Sequence, residues 1–131
     1  MLMPLNPHKG RKGLQRILYA ARYSCDGLLS AYRRESAFRQ ECWLVFMLVP
    51  AAFWLGTTWV EVALLAGSAL LVLVVELLNS AVEAAVDRIS LDLHDLSKHA
   101  KDYGSAAVLL SLGLCGSIWA AALWQHFASK P

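Results

Sequence analysis

Charge is scarce in this chain, and so are cysteine and proline. Of 131 residues, 17% are Asp, Glu, Lys or Arg, with three cysteines and four prolines; soluble domains usually carry about 25% charged residues. Cys25, Cys42 and Cys115 form no CxxC and no metal-ligand spacing. Their odd number also argues against a disulfide framework. Two of them lie in or beside apolar segments, where cysteine behaves as a small hydrophobe. There is no GxxxxGK[ST] loop, no protein-kinase glycine-rich loop and no nucleophile elbow, which excludes the common nucleotide-binding and hydrolase frameworks. No His/Cys cluster suits zinc, and His94 and His99 read as exposed loop residues. Residues 1–40 hold a basic region but no compact apolar core with a small-residue cleavage site, so they do not read as a cleavable signal peptide. No internal repeat is evident.

What is abundant is apolar sequence. Hydrophobic residues make up 57% of the chain and the mean hydropathy is +0.45, values expected of a small membrane protein of one domain. Met1–Gly13, with Pro4, Pro7, Gly10 and Gly13, reads as a flexible leader, and residues 14–131 as the single domain. Over about 14–34 the apolar positions Leu14, Ile17, Leu18, Ala21, Cys25, Leu28, Leu29 and Tyr32 recur at helical spacing. Arg16, Arg22, Asp26 and Arg33 fall largely elsewhere. That pattern predicts an amphipathic helix lying on a membrane surface, or else one packed on other protein. Spans are expected at about 42–60, 62–86 and 103–126. The first is a run of nineteen uncharged residues with Pro50 inside and a Gly56-Thr57-Thr58 turn near its end. Eight of the twelve basic residues lie in the first 40 positions, and Arg88, Lys98 and Lys101 lie between the second and third apolar stretches. The positive-inside rule therefore predicts a cytoplasmic N-terminus and 87–102 loop, and a C-terminus outside.

The second span cannot reach full length without Glu76, because only fourteen uncharged residues separate it from Glu61. Glu76, Asn79, Glu83 and Asp87 fall within roughly 80° of arc on one helix face. A carboxylate at membrane depth is expensive unless it faces protein, water or a metal, so Glu76 is the first candidate functional residue. The plainer alternative, a solvated face on a helix leaving the membrane, suits Asp87 best. Oxygen donors of this kind fit Mg²⁺ with phosphate oxygens and retained water. Arg16, Arg22, Lys98 and Lys101 could hold further phosphate charge. A carboxylate at the lipid boundary could take a proton from a lipid hydroxyl. The combination suggests phosphoryl transfer onto a lipid alcohol, while composition alone also admits a transporter subunit or an assembly factor.

The motifs ESAFRQE (35–41), VVELLNSAVEAAVDRI (74–89) and HDLSKHAKDYGSAAV (94–108) carry a resemblance. Together with the layout over roughly residues 14–127, the chain resembles the small prokaryotic integral-membrane diacylglycerol kinase family of the Gram-negative type. The resemblance implies an all-α membrane protein with three transmembrane helices preceded by an amphipathic surface helix, assembled as a homotrimer with active sites shared between subunits. It implies MgATP-dependent phosphorylation of diacylglycerol to phosphatidic acid at the cytoplasmic face of a bacterial inner membrane. By motif position, Glu76 would be the general base, and Glu35 and Glu83 would hold Mg²⁺ and ATP. Arg16, Tyr23, Asp92, Leu93, His94, Lys101 and Asp102 would contact the nucleotide. Asn79 would support the site, and Arg16, Glu76, Ser105, Trp119 and Trp124 would meet the lipid substrate. Cys25 and Tyr32 depart from the family pattern, standing where tryptophans occur on the surface helix. Related kinases use undecaprenol as the alcohol, which makes an undecaprenol (polyprenol) kinase the alternative enzyme; a non-catalytic trimeric membrane scaffold is the alternative outside enzymes.

Overall fold

The computed structural model describes residues 13–89, 92 and 94–128, and among them all regular secondary structure is helical. Most of the expected leader, together with Leu93, lies outside the described residues. Four helices follow one another: α1 (Leu14–Arg34), α2 (Ser36–Leu55), α3 (Trp59–Ile89) and α4 (Asp95–Ala128).

Helix α1 buries none of its residues. Its apolar Leu14, Ile17 and Leu18 are all exposed, and it packs chiefly on α2. An amphipathic helix with an uncovered apolar face is built to lie against something else. Its end is held by the corner into α2. Glu35 is extended, and its backbone N–H bonds the Ala31 carbonyl. The Arg39 guanidinium donates to the carbonyls of Tyr32 (3.0 Å) and Arg33 (3.2 Å). Those carbonyls have no partner within the helix, so Arg39 caps α1 from outside.

Helix α2 begins at Ser36 and stops at Leu55, earlier at both ends than the expected span of 42–60. The polar motif ESAFRQE thus belongs mostly to the helix, while Trp59 and Val60 open the next one. The break has a local cause. Thr58 Oγ1 accepts the Glu61 N–H at 3.2 Å, and the Glu61 carboxylate accepts from the Thr57 N–H and hydroxyl, each at 2.7 Å. This reciprocal cap starts α3 and pulls the chain out of α2. Gly56 allows the tight return, since a Cβ there would lie 2.6 Å from Val62 Cγ2. The apolar part of α2, Cys42–Leu55, is about 21 Å long at 1.5 Å per residue.

Helix α3 is central and packs on both α2 and α4. Ala52, Leu55, Val62 and Leu65 form one core cluster; Ala69, Val72 and Cys115 form a second, flanked by Val45, Leu48 and Trp119. Trp119 Nε1 donates to the Leu65 carbonyl at 3.1 Å, tying α4 to the first third of α3. Helix α4 begins at Asp95, so the polar segment 95–102 ahead of the expected span is helical, supported by the Lys98–Asp102 pair one turn apart.

Among the described residues, α3 and α4 are the two helices long and apolar enough to cross a membrane. Only 33% of the apolar window of α3 and 11% of that of α4 is buried. Core helices of a soluble protein would be covered, whereas here large apolar side chains such as Leu70, Leu109, Leu110 and Trp124 face outward. Apolar surface that extensive requires an apolar surrounding. The chain is a membrane protein.

Candidate active site

Three polar side chains are buried among the described residues: Ser68, Ser111 and Glu76. Each serine satisfies itself by donating to the carbonyl three residues back, Ser68 to Leu65 and Ser111 to Val108. Glu76, only 6% exposed, is the carboxylate of the set. Val72 and Ala69 precede it on the buried side of α3, so the same face that packs the core carries the acid. Glu76 lies within electrostatic reach of Glu83 and Glu35 and acts in turn on Glu41. Carboxylates gathered at one place oppose one another unless a cation or proton joins them.

One turn past Glu76, Asn79 Nδ2 donates to Glu83 Oε1 at 3.3 Å, while Asn79 Oδ1 is buried with no hydrogen-bond partner. Helix α4 approaches at this level through Gly104, where a Cβ would come within 2.1 Å of Asn79 Oδ1. A further turn out, Lys101 Nζ pairs with Asp87 Oδ1 at 2.6 Å. Lys101 precedes the apolar stretch of α4, and the Asp87 hydrogen bond holds its ammonium above the usual lysine range. The charge of Glu83 adds to that shift. Along α3 and α4 the order is therefore buried acid, amide-supported acid, then a fixed cation.

Below Glu76 the helices enclose an apolar groove of about 310 Å³. Val45, Leu48, Val72, Cys115 and Trp119 line it, and Glu41 is its one acidic lining residue. Glu41 Oε2 is buried without a hydrogen-bond partner.

The residues expected from sequence fall into groups. Glu35 and Glu83 lie within electrostatic reach of Glu76, Asn79 bonds Glu83, and Lys101 feels the charge of Glu83. Trp119 lines the groove. Trp124 is exposed and lies about 28 Å along α4 from Ser105, which is also exposed. Arg16 and Tyr23 sit on exposed α1, and no hydrogen bond or ion pair links Arg16 to Glu35, Glu76 or Glu83. Asp92 is exposed. His94 takes a structural part, its Nδ1 accepting the Leu96 N–H at 3.2 Å at the start of α4. Asp102 is engaged by Lys98. Glu41 is one candidate acid among several in the sequence, with no role of its own, and Gly104 carries no sequence signal. Both lie inside the quoted motifs, but only their placement against the groove and against Asn79 marks them.

Mg²⁺ binding commonly uses one or two carboxylates, with phosphate oxygens and water completing the shell. Among the described residues no group of three or more His, Cys, Asp or Glu is arranged to hold a metal by protein alone. Glu83, in electrostatic reach of Lys101, and Glu35, in reach of Glu76, offer hard oxygen donors of the kind that Mg²⁺ takes together with phosphate oxygens.

Comparison with known proteins gives a consistent picture. The family model described as prokaryotic diacylglycerol kinase matches residues 22–123. A diacylglycerol kinase from Pseudomonas aeruginosa is 51% identical over 121 residues, covering 92% of this chain and 98% of its own. One from Haemophilus influenzae is 47% identical over 112 residues, with 86% and 95% covered. One from Escherichia coli K12 is 48% identical over 115 residues, with 88% and 94% covered. With that extent of identity, and with the buried Glu76 inside the matched region, the chain belongs to the prokaryotic diacylglycerol kinase family.

Proposed function

We propose that this protein transfers the γ-phosphoryl group of ATP to the free hydroxyl of diacylglycerol, yielding phosphatidic acid and ADP. The observation that carries the reading is Glu76, a buried carboxylate one helical turn beyond the groove-lining Val72 and within electrostatic reach of the acids Glu35 and Glu83. A lipid alcohol needs such a junction. Its acyl chains occupy the groove against Val45, Leu48 and Trp119, and its hydroxyl reaches the polar end.

There Glu76 accepts the hydroxyl proton as the oxygen attacks the γ-phosphorus. The new O–P bond forms as the bond to the β-phosphate oxygen breaks, and ADP leaves. Glu35 and Glu83 would hold Mg²⁺ with the ATP phosphates, and the bound cation would neutralise phosphate charge during transfer. Asn79 restrains Glu83 through its amide, and Lys101, oriented by Asp87, supplies a positive charge at the nucleotide side. Glu41 lines the groove on the α2 side, where it can accept a hydrogen bond from the glycerol headgroup.

The active enzyme is a homotrimer with sites shared between neighbours. Support comes from α1: its apolar face is uncovered, and no hydrogen bond or ion pair joins its Arg16 to Glu35, Glu76 or Glu83. A neighbouring subunit's α1 would bring Arg16 to the nucleotide. The apolar part of α2 crosses the membrane as a third span, short and flanked by the polar residues Arg39, Gln40 and Glu41. The uneven distribution of lysine and arginine supports a cytoplasmic acid cluster in the inner membrane and a C-terminus on the periplasmic side.

Purified protein in mixed micelles with MgATP, offered diacylglycerol or undecaprenol in parallel, tests the reading. Phosphatidic acid is expected as the favoured product. Transfer to undecaprenol alone would identify a polyprenol kinase, and transfer to neither would leave a membrane scaffold.

A further inference from the structure

Helix α4 contains three glycines, and they differ in what surrounds them. A Cβ on Gly113 or Gly116 would meet nothing within 4 Å. A Cβ on Gly104 would lie 2.1 Å from Asn79 Oδ1 and 3.2 Å from Asn79 Cγ, well inside any real contact. Gly104 is helical, so backbone conformation does not require a glycine there. What requires it is the amide of Asn79.

That amide is held in an unfavourable way on one side. Its Nδ2 donates to Glu83 Oε1, while its Oδ1 is buried against Gly104 with no donor. An unsatisfied buried carbonyl oxygen is costly. Turning the amide over would be worse, because it would set a carbonyl oxygen against the Glu83 carboxylate. The orientation is thus dictated by Glu83, and the space its Oδ1 then occupies is left open by the missing Cβ of Gly104. With Oε1 engaged, rotation of the Glu83 carboxylate is restrained and Oε2 is left for another partner. Groups that orient a ligand carboxylate in this manner commonly change metal affinity by about 10- to 100-fold when removed.

We propose that Gly104 is a positioning residue of the phosphoryl-transfer site: by lacking a Cβ it leaves the space in which the Asn79 carboxamide can bond Glu83. The inference rests on the reading of Glu83 as a metal-holding residue. In Gly104→Ala the short, two-torsion Asn79 side chain yields more easily than either helix backbone, since the nearest backbone atom is Asn79 Cα at 3.8 Å. The helices stay packed and the amide leaves Glu83.

The test is a calorimetric Mg²⁺ titration of assembled protein in detergent micelles saturated with β,γ-methylene ATP, which reports binding without turnover. Wild type, Glu83→Gln, Asn79→Ala, Gly104→Ala and the Asn79→Ala/Gly104→Ala double variant are compared. The half-saturating Mg²⁺ concentration is expected to rise about tenfold or more in Gly104→Ala, to match Asn79→Ala, and to rise no further in the double variant. A Gly104→Ala titration like wild type, beside a shifted Glu83→Gln, overturns the inference and leaves the metal reading standing. An unmoved Glu83→Gln titration removes the metal reading and the inference with it. Losses that add in the double variant show a packing role separate from Asn79 and overturn the proposal. If Gly104→Ala fails to assemble, recovery of assembly in the double variant supports the clash with Asn79, and failure of both overturns it.

Discussion

Replacing Glu76 with glutamine removes a charge and a proton acceptor while leaving the side-chain volume almost unchanged. The site is 6% exposed, so water cannot easily substitute for the lost base. A positioned general base contributes about 10²- to 10⁴-fold in rate, equivalent to about 2.7–5.4 kcal/mol of barrier at 1.36 kcal/mol per tenfold. Glu76→Gln is therefore expected to lower kcat by at least about a hundredfold. KM for MgATP should move little, since Glu35, Glu83 and Lys101 remain. Folding should not suffer: the substitution removes one member of a group of mutually opposed carboxylates. Thermal unfolding in micelles should occur at the wild-type temperature or above it. Turnover by radiolabelled phosphate transfer, with size-exclusion chromatography of the same sample, separates a chemical loss from a failure to assemble. Wild-type-like turnover would refute Glu76 as the base, and a low rate accompanied by collapsed assembly would refute the claim that its role is chemical.

Two further outcomes follow from individual contacts. Trp119→Phe loses the indole bond to the Leu65 carbonyl, which retains the Ser68 hydroxyl as donor. It should lower unfolding stability by about 1 kcal/mol and raise KM for diacylglycerol through the altered groove wall; unchanged values for both would count against Trp119 as a packing and lining residue. For Asp87→Asn the sign follows from Lys101, whose pKa is raised by Asp87. The stability from this pair is present below the ordinary lysine pKa and is lost as pH rises through the raised value. The gap in melting temperature between wild type and Asp87→Asn should hold near neutral pH and close only in strong alkali. A gap that closes between pH 7 and 9 would contradict the pairing.

Much of this arrangement was readable from residue order. Helical recurrence of Leu14, Ile17, Leu18 and Leu28 marks α1, because an amphipathic helix records its own period. The absence of a breaker between Val72 and Arg88 carries α3 past Glu76 as one helix. The extent of α2 was less legible, since Cys42–Val60 is continuously uncharged and hydropathy does not register a break set by the Thr58–Glu61 cap. The helicity of Asp95–Asp102 was hidden for the opposite reason: polar sequence reads as loop until pairing such as Lys98–Asp102 is seen. Asp87 looked like a solvated charge from sequence, yet it fixes Lys101 across two helices.

What residue order determined by itself was the one-dimensional chemistry: where apolar stretches lie, which helix carries acids on one face, and which end of the molecule is basic. These are properties of spacing along a regular helix and need no neighbours. Only the tertiary structure decided that Asp87 pairs with Lys101, that Glu41 lines an apolar groove, and that Gly104 is the point where α4 can touch Asn79. Those depend on distances between helices, and a single missing Cβ at a contact has no signature until both helices are in place.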